Sequence, residues 1–216
     1  QAQTLFEKCV KDFGNENFDS ILGGLKCLER LKNYEDLLDT YLEVIKENKD
    51  FLPLHIERLK IYLHKQDYEN AVDYIQRRLS KVKNFELLKI LAVSKLMSEG
   101  DFKEVAKILT EMWELMLKEE PKNPELYYNT CCLFRKICDK RKEIMVICEK
   151  MIDKALELNP DNSYYLTEKS YLRLFDGEIR ESKSLFSRSS ELDPNNKECS
   201  LGVTYCKILE EKYQEV

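Results

Sequence analysis

Eight cysteines, at positions 9, 27, 131, 132, 138, 148, 199 and 206, and two histidines, His55 and His64, are the residues whose types suit metal binding or nucleophilic attack. A structural zinc site needs closely spaced ligand pairs such as C-x-x-C. Cys131, Cys132, Cys138 and Cys148 lack that spacing and fall on helical stretches with no histidine nearby. The two histidines are nine residues apart, which at about 100° per residue sets them on opposite faces of one helix, so they do not share a metal. No histidine adjoins a cysteine in sequence, so a thiol nucleophile has no local base, although a pair formed in space stays open. Free cysteine is among the most buried residue types, and these read as small hydrophobes. No cofactor and no metal are expected.

Other short matches are equally bland. Asp12-Phe13-Gly14 copies a kinase tripeptide but stands without a glycine-rich loop or an H-R-D segment. Gly23-Gly24 lacks the pattern that cradles phosphate and reads as a close approach of two helices. The basic run Arg135-Lys136 and Lys140-Arg141-Lys142 suits an acidic partner or an anionic surface, or a solvated face.

The elements that carry these residues follow from composition and period. In 216 residues, 35 basic and 40 acidic side chains give a net charge of −5, which argues against a dedicated nucleic-acid binder. No apolar run approaches the roughly 20 residues of a membrane span, and with 43% hydrophobic residues the chain is expected to fold as a soluble protein. Only 6 glycines and 5 prolines argue against a many-stranded fold, so helices should dominate. Scattered cysteines without a leading signal segment fit a reducing compartment. The chain begins at Gln1 and enters directly on Leu5, Phe6, Cys9 and Val10, a helix-face pattern, which suggests an excerpt from something longer.

Tyr34, Tyr68 and Phe102 head matching segments at steps of 34 residues, and Glu157-Leu158-Asn159-Pro160 returns as Glu191-Leu192-Asp193-Pro194 at the same step. That period is the tetratricopeptide repeat's, a helix-turn-helix unit that buries its faces by stacking on its neighbours. The expected fold is all-α, a right-handed superhelical solenoid of antiparallel hairpins, running as a single continuous array over 1–216 with about five full hairpins and partial units at both ends. Asp67 and Asp101 suit helix caps, Glu104 completes a capping box, and the Asn-Pro and Asp-Pro steps stop second helices. Phe102 to Met145 exceeds the period by nine, and Pro121 to Pro160 is 39 residues, so two units near 101–158 are lengthened. Helices are expected over 3–13, 18–31, 34–48, 52–65, 68–82, 85–98, 102–119, 124–138, 142–158, 163–175, 178–191 and 197–211.

In this repeat the inner groove is lined mainly by first helices. The frame puts Ile56, Lys60 and His64 there, then Ile90 and Ser94, then Tyr128, Cys132, Arg135 and Lys136, then Tyr164, Thr167 and Tyr171. This basic and aromatic mixture suits a segment carrying acidic residues, with Arg135, Lys136 and Tyr171 expected on the interaction surface. The bland alternative is a groove filled by neighbouring turns of the same superhelix.

Several stretches go beyond the repeat consensus: Leu22-Gly23 with Lys26-Cys27-Leu28-Glu29 and Asn33-Tyr34; Phe51-Leu52-Pro53 with Gln66-Asp67-Tyr68; Arg78-Leu79; Glu99-Gly100-Asp101; Glu120-Pro121-Lys122-Asn123 with Leu126-Tyr127-Tyr128-Asn129; and Leu158-Asn159-Pro160. In order and spacing they resemble an N-terminal part of the tetratricopeptide repeat protein 21 family, over about Leu5 to Glu211. The resemblance implies a non-catalytic scaffold, a large repeat subunit of intraflagellar transport complex A acting in retrograde ciliary transport and cilium assembly. It implies other complex A subunits as partners, trafficking adaptors and ciliary cargo as indirect ones, and a place in the cilium or flagellum and basal body, on the cytoplasmic side. Ser182 and Cys148 stand where the repeat usually has a small alanine, and Ser189 replaces another. The alternative is a cytosolic peptide-binding adaptor or co-chaperone, but its carboxylate clamp needs paired lysines and asparagines, and Lys60 lacks the matching asparagines. No stretch leaves room for a catalytic module.

Overall fold

A computed structural model of the chain describes residues 34–47, 49–138 and 140–214, with a few separate positions before 34. The helices expected over 3–13 and 18–31, with Asp12-Phe13-Gly14 and Gly23-Gly24, fall outside these continuous stretches. Ten helices follow: α1 (Tyr34–Glu47), α2 (Leu52–His64), α3 (Tyr68–Leu79), α4 (Phe85–Ser98), α5 (Phe102–Glu119), α6 (Pro124–Ile137), α7 (Lys142–Leu158), α8 (Ser163–Phe175), α9 (Ile179–Leu192) and α10 (Lys197–Gln214). Among the described residues there is no strand, and no helix is long and apolar enough to cross a membrane. The chain divides into two compact units, Gln1–Ser98 and Glu99–Val216.

Short polar side chains start the helices by accepting hydrogen bonds from otherwise orphaned backbone N–H groups. Asp101 accepts from Lys103 and Glu104 at 3.0 and 3.1 Å, Asn123 from Leu126 at 3.2 Å, and Asn162 from Tyr164 and Tyr165 at 2.9 and 3.2 Å. The capping box expected at Glu104 is only half made, because that carboxylate lies 3.6 Å from Lys107 Nζ, one turn on. Helix α3 stops three residues before its expected end at 82, since Asn84 already turns the chain into α4 by accepting from Glu86 and Leu87 at 2.8 and 3.2 Å. Gln66, Gly100 and Gly177 each stand two residues before a second helix, and all three have positive φ, at 58°, 65° and 85°. The turn of the repeat thus demands a left-handed residue, which glycine adopts freely and glutamine does not.

In the first unit α2 and α3 form a hairpin, with α1 packed on α2 and α4 on α3 and α2. Leu37, Tyr41, Leu54 and Ile61 form a core cluster, flanked by Tyr34 and Phe51. In the second unit α6 pairs with α7 and α8 with α9, while α5 packs on α7, α8 on α7 and α10, and α9 on α10. The long helices α5 and α7, of 18 and 17 residues, account for the stretched spacing near 101–158.

Serines at the usual alanine sites are buried and fully engaged. Ser182 Oγ donates to the Ser170 carbonyl at 2.9 Å. Ser189 Oγ meets the Ser163 carbonyl at 2.8 Å, the Ser163 hydroxyl at 2.9 Å and the Thr167 hydroxyl at 2.7 Å, and Asn196 closes the network by donating to Ser163 and Thr167. These hydroxyls sit where a methyl group is usual, and satisfied buried polar groups of this kind fix one packing arrangement.

Candidate interaction groove

The second unit presents the first helices of successive hairpins, α6, α8 and α10, on one side. Along α6, Tyr128, Cys132 and Arg135 recur at i, i+4, i+7, a single helical face; Tyr164, Glu168 and Tyr171 do the same on α8. These residues, with Lys136, Thr167 and Glu198, surround a small cavity of about 40 Å³, roughly room for a water molecule. Beside it opens a groove of about 580 Å³ lined on α10 by Glu198, Leu201, Tyr205, Ile208 and Leu209, and on the other side by Lys140, Leu174 and Phe175.

Between the helices lies a buried ion pair. Glu168, 4% exposed, accepts from Arg135 Nε at Oε1 and from Nη2 at Oε2, the latter at 3.0 Å. The fork is bidentate and charge-assisted. The guanidinium also lies 4.9 Å from the Tyr171 ring centroid and 5.8 Å from that of Phe175. Tyr171 is held in turn by its hydroxyl, which donates to the Glu198 carbonyl at 2.8 Å, and by edge contact with Phe186 at 5.1 Å. Burial first, and then the charge of Glu198, pushes the Tyr171 phenol up to about 12; burial and the Glu168 carboxylate push Cys132 to about 12. Burial likewise raises Tyr128 and Cys131, and takes Cys138 to about 12. Of these groups Tyr128, Cys132 and Tyr171 line the cavity or the groove, where burial favours their protonated forms.

The expected groove residues separate into distinct environments. Tyr128, Cys132, Arg135, Lys136, Tyr164, Thr167 and Tyr171 come together around the α6–α8 cavity, and Tyr164 and Lys136 are well exposed. Three corrections follow from packing. Arg135 does not offer a free charge, because Glu168 neutralises it; Thr167 is buried, with its hydroxyl committed to Ser189; Tyr171 is only 7% exposed. In the first unit Ile90 and Ser94 are buried, at 6% and 0%, because α4 carries apolar residues on every side and so has no open face. Ile56 is half-buried, Lys60 is exposed and paired with Glu57 at 2.6 Å, and His64 is exposed and stacked on Tyr34. Glu168, Phe175 and the α10 strip of Leu201, Tyr205 and Ile208 went unread. Glu168 was within reach, since it stands four residues after Tyr164, but a charge at helical spacing reads as solvated until a partner is known.

A family model described as the tetratricopeptide repeat protein 21 second ARM domain matches residues 107–216, just over half of the chain, and one described as the N-terminal ARM repeat of the same protein matches 1–72. Tetratricopeptide repeat protein 21B of Homo sapiens is 28% identical over 216 residues, covering all of this chain and 16% of that protein. The chain therefore spans about a sixth of the length of that relative. Among solved structures, a tetratricopeptide repeat protein from Parabacteroides merdae superposes with a TM-score of 0.64 at 16% identity, over 93% of this chain and 76% of that one. YrrB, described as a TPR protein with an unusual peptide-binding site, gives 0.56 at 12% identity, over 90% and 95%. The fold class is thus all-α, of the tetratricopeptide-repeat type.

Proposed function

The chain belongs to the tetratricopeptide repeat protein 21 family, and from that premise we propose that it is a segment of a non-catalytic, repeat-based protein-interaction scaffold, a subunit of intraflagellar transport complex A. In this reading it acts in retrograde ciliary transport and cilium assembly, in the cilium or flagellum and at the basal body. Other complex A subunits are its direct partners, and trafficking adaptors and cargo are indirect ones; neither nucleic acid nor a membrane span enters.

The observation that carries the scaffold reading is the stack of first helices in the second unit, where exposed Tyr164 and Lys136 rim the α6–α8 cavity, aromatic and cationic surface that suits protein contacts. Buried, protonated thiols support a non-catalytic role. The test is affinity purification of the full-length protein from ciliated cells with mass spectrometry. Recovery of complex A subunits is the expected result; recovery of chaperones or an unrelated assembly in their place would overturn the transport reading.

A further inference from the structure

Between Asp73 and Glu86 the chain carries four cations, Arg77, Arg78, Lys81 and Lys83, and no carboxylate. In their midst stands Ser80, with the two arginines three and two residues before it. It follows directly on α3, it is exposed, and its hydroxyl donates to the Arg77 carbonyl at 2.9 Å. Arg77 reaches out into solvent: its side chain is 80% exposed, and its ion pair with the open Asp73 spans 3.9 Å. Arg78 lies closer in, donating to the Lys49 carbonyl at 3.1 Å, with its Nε buried and unpartnered among the described residues. Residues 81–83 continue as an exposed, non-helical stretch.

Other exposed hydroxyls lack this setting. Thr110, Ser187 and Thr204 lie inside α5, α9 and α10 and donate to carbonyls one turn back. Ser98 ends α4, but Glu99 follows it and a single lysine, Lys95, stands three residues before it. An enzyme that modifies a side chain holds the residues around it in extended form, so an acceptor at a fraying helix end beside an irregular stretch is within reach and one in mid-helix is not. The arginines set the class of enzyme. Guanidinium groups at fixed places before the acceptor pair with carboxylates in a substrate groove, and kinases select substrates by charge patterns of this sort.

We propose that Ser80 is a phosphorylation site for a serine/threonine kinase that reads Arg77 and Arg78, and that the phosphate releases the end of α3. Ser80 Oγ attacks the γ-phosphorus of ATP; the Oγ–P bond forms as the bond to the β,γ-bridging oxygen breaks, ADP leaves, and the hydroxyl proton passes to the kinase's catalytic aspartate. The Arg77 carbonyl loses that donor, and a charge of about −1.5 to −2 comes to sit at the negative end of the helix dipole. Arg77 and Lys81 can turn toward the phosphate, but exposed ion pairs contribute little, so the loss dominates. Drawing Arg78 outward also breaks its bond to the Lys49 carbonyl, which His55 Nε2 shares at 2.9 Å, and the loosening then reaches the turn before α2.

The experiment incubates the full-length protein with ATP and the catalytic subunit of the cyclic-AMP-dependent kinase, which takes arginines at these two places. Digestion after glutamate keeps residues 70–86 in one peptide, in which Ser80 is the only serine or threonine, and mass spectrometry reads its phosphate. An acid-directed casein kinase, which selects carboxylates after the acceptor, is the control. The first kinase is expected to modify Ser80 at least about tenfold faster than the control does, and at least about tenfold faster than it modifies Arg77→Ala, a change at an exposed side chain that keeps the fold. Amide hydrogen exchange in the last turn of α3 is expected to quicken several-fold once the phosphate is on. Absence of phosphate on Ser80 in the folded protein overturns the site, whether or not the free peptide of residues 74–86 is modified. So does a rate that is indifferent to Arg77 or equal for the two kinases. Unchanged exchange in the phosphorylated protein overturns the release of α3.

Discussion

The two units hold a buried arginine in opposite ways. In the second, Arg135 is gripped by a carboxylate one repeat further along the chain and flanked by two aromatic rings. In the first, Arg58 is 8% exposed and among the described residues meets no carboxylate: its guanidinium lies 4.4 Å from the Tyr74 centroid and 5.4 Å from that of Tyr62, it donates to the Tyr62 hydroxyl at 2.8 Å, and its Nε finds no partner among those residues. The neighbouring His55 completes that aromatic arrangement, taking a hydrogen bond from Tyr74 at Nδ1 and donating from Nε2 to the Lys49 carbonyl. The difference teaches that ring faces hold a cation loosely and tolerate its loss, whereas a buried ion pair makes each partner dependent on the other.

That dependence sets the largest expected effect. Glu168→Ala leaves the Arg135 charge buried and uncompensated, and urea unfolding should show a loss of about 3–5 kcal/mol, most of it recovered when Arg135 is also replaced by methionine. A loss no greater than that of an exposed ion pair would break the contrast between the units. Ser189→Ala comes next. Restoring the residue usual in the repeat would stabilise the chain if sequence consensus ruled, but it removes the buried bonds of the Ser189 hydroxyl to the Thr167 and Ser163 hydroxyls and to the Ser163 carbonyl, so a loss of about 1–3 kcal/mol is expected in the same assay.

Two smaller tests belong to the first unit. Arg58→Met should change stability by no more than about 1 kcal/mol in either direction, because an apolar side chain of similar length replaces a cation held, among the described residues, by ring faces and not by an ion pair. A cost matching that of Glu168→Ala would erase the comparison. Gln66→Gly should stabilise by about 1 kcal/mol, seen as a raised Tm, since Gln66 occupies the left-handed position that Gly100 and Gly177 fill in the second unit.

The smallest is a pH effect at His55. Burial, more than the nearby Arg78 and Arg58 charges, lowers its pKa below 6.5, despite the opposing bond to the Lys49 carbonyl. Below the unfolded value the unfolded chain then binds more protons than the folded one, so His55 lends stability above about pH 6.5 that fades as pH falls through its folded pKa. Chemical denaturation across that range should show the decline, and His55→Gln should flatten it.

Much of the fold was legible because its signals are local. The step of 34 between Tyr34, Tyr68 and Phe102, the caps at Asp67 and Asp101, and the proline stops act within a few residues of themselves, and the helices begin where those signals stand. The candidate groove was legible only as a face. Helical spacing put Tyr128, Arg135 and Tyr171 on one side of their helices, but whether a side chain on that side meets water, a carboxylate or a hydroxyl depends on residues about one repeat away.

By itself, then, the sequence determined the helices, their turns and their period, since hydrogen bonding and capping are short-range. Tertiary structure alone decided that Glu168 takes up the charge of Arg135, that Thr167 and Ser94 are buried, and that Lys140 lies over the ring of Phe175. Each of those outcomes rests on which faces of separate helices meet, and burial and charge pairing are properties of that meeting.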